Sequence, residues 1–115
     1  MRNRESEFEL YRMQAEIAKV LGNPMRLRIL NLIGGREVAY GLLFDDLGVS
    51  KANLSQHLAI LRNAGIVTVR RDGAHVYYRL TFPEIKDLCS TMREILARHL
   101  NESGRRGKLL MRSGF

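Results

Sequence analysis

The sequence predicts a mostly helical fold with one small β-hairpin, and three observations carry that prediction. Apolar residues recur at three- and four-residue intervals in about five stretches, separated by breaks that contain Gly or Pro. After Gly65 the period changes. Ile66 to Arg71 and His75 to Leu80 are β-branched and aromatic runs around Asp72-Gly73-Ala74, a strong signal for a hairpin. Between the helices and the hairpin, Ser50 to Gly65 combines one apolar face with an opposite face that lacks any acid. At 115 residues the chain is one domain's worth. The expected division is a folded domain over residues 1–102 and a basic tail over residues 103–115.

The first helix is expected over residues 6–21, with Ser6 as N-cap and Glu9 completing a capping box. Its apolar residues cover more than one stripe, so two faces must be buried. In so small a domain the second face, with Phe8, Tyr11 and Ala15, is expected to meet another subunit. The alternative is a central core helix. Gly22-Asn23-Pro24 breaks the run, and Pro24 suits the first position of a second helix. That helix is short and strongly apolar, ends at Gly34-Gly35, and carries Arg26 and Arg28. Such arginines are ordinarily solvated or ion-paired, although either could reach a phosphate. Residues 36–40 read as a small strand or a loop, and Gly41 to Leu47 as a third helix. Gly48-Val49 then turns the chain into Ser50. A helix, a short Gly-containing turn and a second helix with a polar face make a helix-turn-helix.

Ser50 suits the N-cap of this next helix. Leu54, Leu58 and Leu61 share one face, and Gly65 can end the helix in the left-handed conformation. The other face offers Ala52, Asn53, Ser55, Gln56 and Ala59, small or amide-bearing residues that fit a groove lined with base edges. Ser50, Lys51, Asn53, Ser55, Gln56 and His57 are the candidate DNA-reading residues. His57 lies nearer the core edge and equally suits packing or a bond to backbone. The hairpin that follows would be a wing, with Arg70, Arg71 and His75 near its tip to meet phosphates or a minor groove. The bland alternative is a hairpin with solvated charges.

A last helix is expected from about Pro83 to Asn101, with Thr81 or Phe82 near its cap. Ile85, Leu88, Met92, Ile95 or Leu96, and His99 fall on one stripe, which could form the second half of a dimer interface. The Gly-, Ser- and Arg-rich segment from Ser103 would add non-specific affinity for DNA.

Charge supports this assignment. The chain has 19 basic and 12 acidic residues. Residues 50–80 hold Lys51, Arg62, Arg70, Arg71 and Arg79 against Asp72 alone, so the excess centres on the reading helix and wing. No apolar run approaches membrane-spanning length and the start has no apolar leader core, so a cytoplasmic location with no membrane partner is expected. The single Cys89 excludes an intramolecular disulfide.

Together, residues 18–80 resemble the ArsR/SmtB family of winged-helix transcriptional repressors. The matching residues are Ala18 to Leu21, Asn23 to Leu30, Leu47 to Ser50, Leu54 to Val67, Arg70 to Gly73 and Val76 to Leu80. The resemblance implies a winged helix-turn-helix of five helices and two or three short strands. It also implies a homodimer built from the first and last helices, which leaves a palindromic double-stranded DNA operator when an inducer arrives. Family members often carry a metal or redox site. Where one type has a cysteine pair, this chain has Ala39 and Gly41. Where another has an Asp-x-His near the start of the last helix, shared across the dimer with a His-x-x-Glu near its end, this chain has Lys86 and Leu88, although His99 and Glu102 match the His-x-x-Glu. No metal and no other cofactor is therefore expected. Glu84 or Asp87 could complete a site with His99 and Glu102 only in altered geometry. Cys89 could meet its mate across a two-fold axis as a redox switch, although a free cysteine is ordinarily a small buried hydrophobe.

The function expected is sequence-specific DNA binding that represses transcription. The alternative is a winged helix used as a protein-interaction module, with no sequence-specific DNA binding. An enzyme is not expected, because His57, His75 and His99 lie on three different elements and no phosphate-cradling glycine loop occurs.

Overall fold

Side-chain caps begin three of the helices and so decide where the chain turns. The computed structural model describes residues 3–102; the expected basic tail, residues 103–115, lies outside the described residues. The order is α1 (Arg4–Leu21), α2 (Pro24–Ile33), β1 (Val38–Ala39), α3 (Tyr40–Leu47), α4 (Lys51–Asn63), β2 (Val67–Asp72), β3 (His75–Leu80) and α5 (Glu84–Glu102). The described chain falls into two units, one ending at Phe82 and the other beginning at Pro83.

Helix α1 starts two residues earlier than expected, and its cap is Asn3 rather than Ser6. The Asn3 side-chain oxygen accepts from the Ser6 N–H at 2.8 Å, so Ser6 is itself the capped residue. Glu9 pairs forward with Arg12 at 2.8 Å, where a capping box would have it reach back. Of its residues only Leu21 is buried, while Phe8, Leu10, Tyr11, Met13 and Ile17 are exposed. α1 is therefore not a central core helix of this chain. Helix α2 begins as expected, with Asn23 as cap and Pro24 in the first turn.

The core of the first unit is built from Ile29, Leu30 and Ile33 of α2, Leu43 and Leu47 of α3, and Leu54, Leu58 and Leu61 of α4. Val38, Ile66, Val67 and Leu80 close it from the sheet side. Burying one such side chain stabilises the fold by about 1.5–3 kcal/mol. The helical spacing of the leucines on α4 is what turns its polar residues outward.

The three strands form an antiparallel sheet in the order β1-β3-β2. Residues 36–40, open between strand and loop in the sequence, contribute the two-residue β1, which pairs Val38 with Tyr78 and Ala39 with Tyr77. In the wing, Asp72 pairs with His75, leaving Gly73 and Ala74 as a two-residue loop. Gly73 has φ 61° and stands first in that loop, where a type II′ hairpin turn takes a glycine. The ladder is prolonged by the Thr81 N–H donating to the Ile66 carbonyl at 3.0 Å and by the two hydroxyls of Thr68 and Thr81 at 2.9 Å.

Helix α5 spans 19 residues. Leu88, Met92, Ile95 and Leu96 are exposed along it, and Cys89 is its buried residue. No described helix is long and apolar enough to cross a membrane.

Candidate nucleic-acid interface

The turn between α3 and α4 is set by Gly48, whose φ of 65° places it in the left-handed region. A residue with a Cβ takes that conformation only with strain. Ser50 then caps α4, its Oγ accepting from the Asn53 N–H at 3.1 Å. The hydroxyl proton remains available to donate, so capping and a phosphate contact are compatible in Ser50. At the other end, the Gly65 N–H donates to the Arg62 carbonyl and the Ile66 N–H to the Leu61 carbonyl, both at 2.9 Å. This pair of bonds, with buried Leu61 and Ile66 beside it, is a Schellman stop. It sends the chain from α4 straight into β2.

Lys51, Ala52, Asn53, Ser55, Gln56 and Ala59 are all exposed on α4. They form one acid-free surface, and the leucines at 54, 58 and 61 form the opposite one. Lys51 is held at the entry to the helix, with Nζ 5.7 Å from the centroid of the Phe44 ring, within range of a cation–π attraction. Phe44 in turn stacks on Tyr40, with centroids 6.4 Å apart and planes 4° from parallel. The sequence reading missed this aromatic shelf. The spacing of Tyr40 and Phe44, four apart on one helix, was the signal that could have shown it.

His57 does not share the exposed face. It is half-buried, and its Nδ1 lies 3.3 Å from Nη1 of Arg26. Of the two roles the sequence left open for this histidine, the geometry brings it to the inner one. Arg26 and Arg28 are also committed. The Arg26 Nε donates to the Val20 carbonyl at 2.6 Å, and the Arg28 Nη2 to the Asp46 carbonyl at 2.9 Å.

The wing separates its two arginines. Strand pairing puts Thr68, Arg70, His75, Tyr77 and Arg79 on one face and Val67, Val69, Arg71, Tyr78 and Leu80 on the other. Arg70 forks onto Glu37, with Nη2 to Oε1 at 2.7 Å and Nε to Oε2 at 3.0 Å. Its guanidinium also lies 4.4 Å from the centroid of the Tyr77 ring. The hydrogen bond from Arg70 lowers the Glu37 pKa below its ordinary value, and the same bond raises that of Arg70. Arg71 is exposed and has no carboxylate within ion-pair distance among the described residues. Burial pushes the Tyr78 phenol up, while the positive charges of Arg71 and Arg62 act against it. Arg62, in the last turn of α4, and Arg71, in the wing, thus both act on the Tyr78 ring. His75 sits exposed beside the wing loop, its ring 6.4 Å from that of Tyr77.

No group of three or more His, Cys, Asp or Glu side chains gathers to hold a metal among the described residues. Asp87 and His99 lie on α5, separated by about 18 Å at 1.5 Å of rise per residue. They cannot share an ion within one subunit. Burial pushes the Cys89 thiol above its ordinary value, and Arg93 acts weakly against that.

Comparison with known proteins agrees with this geometry. Residues 23–69 match the family model described as bacterial regulatory protein, arsR family. The uncharacterized HTH-type transcriptional regulator Rv0081 of Mycobacterium tuberculosis is 44% identical over 99 residues, 85% of this chain and 86% of that protein. The transcriptional activator HlyU of Vibrio cholerae is 34% identical over 69% of this chain and 73% of its own length. The biofilm growth-associated repressor of Xylella fastidiosa is 33% identical over 68% of each. Among solved structures, that of M. tuberculosis Rv0081 superposes with a TM-score of 0.75 at 42% identity, covering 82% of this chain and 95% of that one. The homodimeric winged helix-turn-helix DNA-binding domain of a possible ArsR-family regulator from Mycobacterium bovis superposes with a TM-score of 0.77 at 27% identity, covering 87% and 93%. The described fold is a winged helix-turn-helix, and the chain belongs to the ArsR family of bacterial regulatory proteins, which are transcriptional regulators and not enzymes.

Proposed function

We propose that this protein is a cytoplasmic homodimer that binds a palindromic operator in double-stranded DNA and represses transcription by occupying it until a signal releases it. The observation that carries this reading is the exposed, acid-free face of α4, set between a capped start and a wing that presents Arg71. Bases are read by Gln56 and Asn53, whose amides suit bidentate bonds to adenine, with Ser55 and Lys51 beside them. Ser50, Arg71 and His75 contact the backbone and fix register. Arg70, engaged with Glu37, serves the wing chiefly by stiffening it and adds positive charge near the phosphates.

The dimer is read from α1 and α5. Phe8 and Tyr11 on the first, each 57% exposed, and Leu88, Met92 and Ile95 on the second are too large and apolar to be left in water without reason. Ala15 and His99 lie on the same helices and complete the proposed surfaces. The Mycobacterium bovis domain, described as homodimeric, supports a two-fold assembly. No metal or other cofactor belongs to this reading.

The test is selection of duplexes from a random-sequence pool by the full chain, followed by binding at several salt concentrations and a reporter assay. Repression requires an enriched two-fold symmetric sequence, affinity that falls with salt, and lower reporter output when the protein is present. Retention of no duplex at any salt would support a protein-interaction module instead, and raised output would make the protein an activator, as the relative HlyU is described.

A further inference from the structure

We propose that Arg26 is a positioning residue for DNA reading, tying the end of α1 to the recognition helix through the Val20 carbonyl and the His57 imidazole. This inference rests on the DNA-binding reading above and adds to it the residue that fixes the helix's pose. The Arg26 guanidinium makes two bonds in different directions. Its Nε donates to the Val20 carbonyl at 2.6 Å, and its Nη1 lies 3.3 Å from His57 Nδ1. Val20 is in the last turn of α1, where carbonyls have no donor within the helix and a cation is favoured. The neighbouring Lys19 carbonyl is already taken by the Gly22 N–H at 3.1 Å. The arginine therefore fills a specific vacancy in the helix ending.

At the other end the chemistry is equally directional. A guanidinium offers donors only, so the Nδ1 of His57 must accept, and the ring proton lies on Nε2. Arg26 is itself held by its backbone N–H, which donates to the Asn23 side chain at 3.1 Å. Both ends of its side chain are thus anchored, and it is half-buried.

His57 follows Gln56 directly and stands one helical turn after Asn53. A restraint on His57 limits rotation of α4 about its own axis, which decides whether those amides meet base edges. Arg28 adds a second restraint from α2 by donating to the Asp46 carbonyl in the last turn of α3 at 2.9 Å. Because α1 also carries an exposed apolar face, Arg26 joins a helix of the proposed dimer surface to the helix that reads. In a two-fold dimer the half-site spacing depends on that relation.

The experiment uses the full chain, a duplex selected by the wild type from a random pool, and a random-sequence duplex of equal length. Affinities for both are measured across a salt series, with thermal unfolding of each variant recorded. For Arg26→Gln, the affinity for the selected duplex should fall about tenfold more than that for the random duplex, in line with coupling between contacting residues. The salt slope should not change. His57→Ala should reproduce the effect, and the double variant should lose no more than the worse single variant. Arg26→Lys should fall between, since its donors all sit on one nitrogen, whereas Arg26 reaches its two partners through Nε and Nη1.

If Arg26→Gln does not fold, His57→Ala and Arg26→Lys decide the matter in the same assay. Equal loss on both duplexes with a salt slope reduced by about one would make Arg26 a phosphate ligand and overturn the proposal. A lower melting temperature with both affinities intact would make it merely structural and overturn it as well. If the wild type retains no duplex, the DNA-binding reading itself falls, and the role of Arg26 with it. If the wild type binds and the variants match it, only the role of Arg26 falls.

Discussion

Arg70 and Glu37, 33 positions apart in sequence, form a forked ion pair that ties β2 to the segment just before β1. The fork closes the sheet at its outer face, with the Tyr77 ring under the guanidinium. Its arginine partner stays charged at any ordinary pH, so the pair is governed by Glu37. The Glu37 pKa is lowered by the bond, below an ordinary 4.5. The stabilisation is therefore complete above that ordinary value and is lost as pH falls through the lowered one. The melting temperature of Glu37→Gln should lie below that of wild type near neutrality, and the two should converge under acid conditions. Because the pair is solvent-exposed, the gap should be small and should shrink with added salt.

The two wing arginines should differ in a salt titration. Arg71→Ala should weaken binding to selected and random duplexes alike and reduce the slope of log affinity against log salt by about one. Arg70→Ala should change the slope less, since its charge is already shared with Glu37, and should instead loosen the wing. Equal slopes for the two variants would show that the strand face on which each arginine lies does not decide its contact with DNA.

Gln56 is exposed near the middle of α4. Gln56→Ala should cost about 1–3 kcal/mol on the selected duplex and relax base preference at one position in each half-site. Repeating the selection with the variant measures both. Ser50→Ala should behave differently. It removes a cap, so it should lower stability by about 1 kcal/mol, and it should not shift which base is preferred.

What the sequence showed and what it hid divide along a physical line. The helix-turn-helix and wing depend on local chemistry: the cap at Ser50, the leucine spacing of α4, and the glycines at 48, 65 and 73. All of these are visible within a few residues of where they act. The start of α1 was misplaced because Asn3 and Ser6 are both good caps, and a three-residue shift changes which of them is used. The roles of Arg26, Arg70 and Glu37 depend on partners far along the chain. No periodicity encodes those pairings, so a lone arginine reads the same whether it meets a phosphate, a carbonyl or a carboxylate.

Cys89 offers a test of redox control. It is buried, and burial raises its thiol above the ordinary value, which works against the thiolate that oxidation requires. Mild peroxide should therefore leave operator affinity unchanged in the wild type, as in Cys89→Ala. A peroxide-dependent release present in wild type and absent in Cys89→Ala would establish the switch. Treatment with a chelator should likewise leave affinity unchanged, because Lys86 and Leu88 supply no ligand to complete a site with His99 and Glu102, and half a site holds zinc poorly.

The exposed apolar faces of α1 and α5 predict how association supports binding. Tyr11 is 57% exposed and Ile95 is 54% exposed, so replacing either with glutamate should leave the core of the first unit intact. Neither change removes a residue from that core, and the far-UV spectrum and melting cooperativity should persist. A charge on a face that pairs with its own copy is repeated on both sides of the two-fold, and it would be desolvated there without a partner. Tyr11→Glu and Ile95→Glu should therefore sediment as monomers. A monomer reads one half-site alone and loses the effective concentration that a joined second reader supplies. Affinity for the selected palindrome should drop by about a hundredfold or more, while affinity for a single half-site is retained. If both variants remain dimers by sedimentation, then the two-fold contact is made elsewhere on the chain.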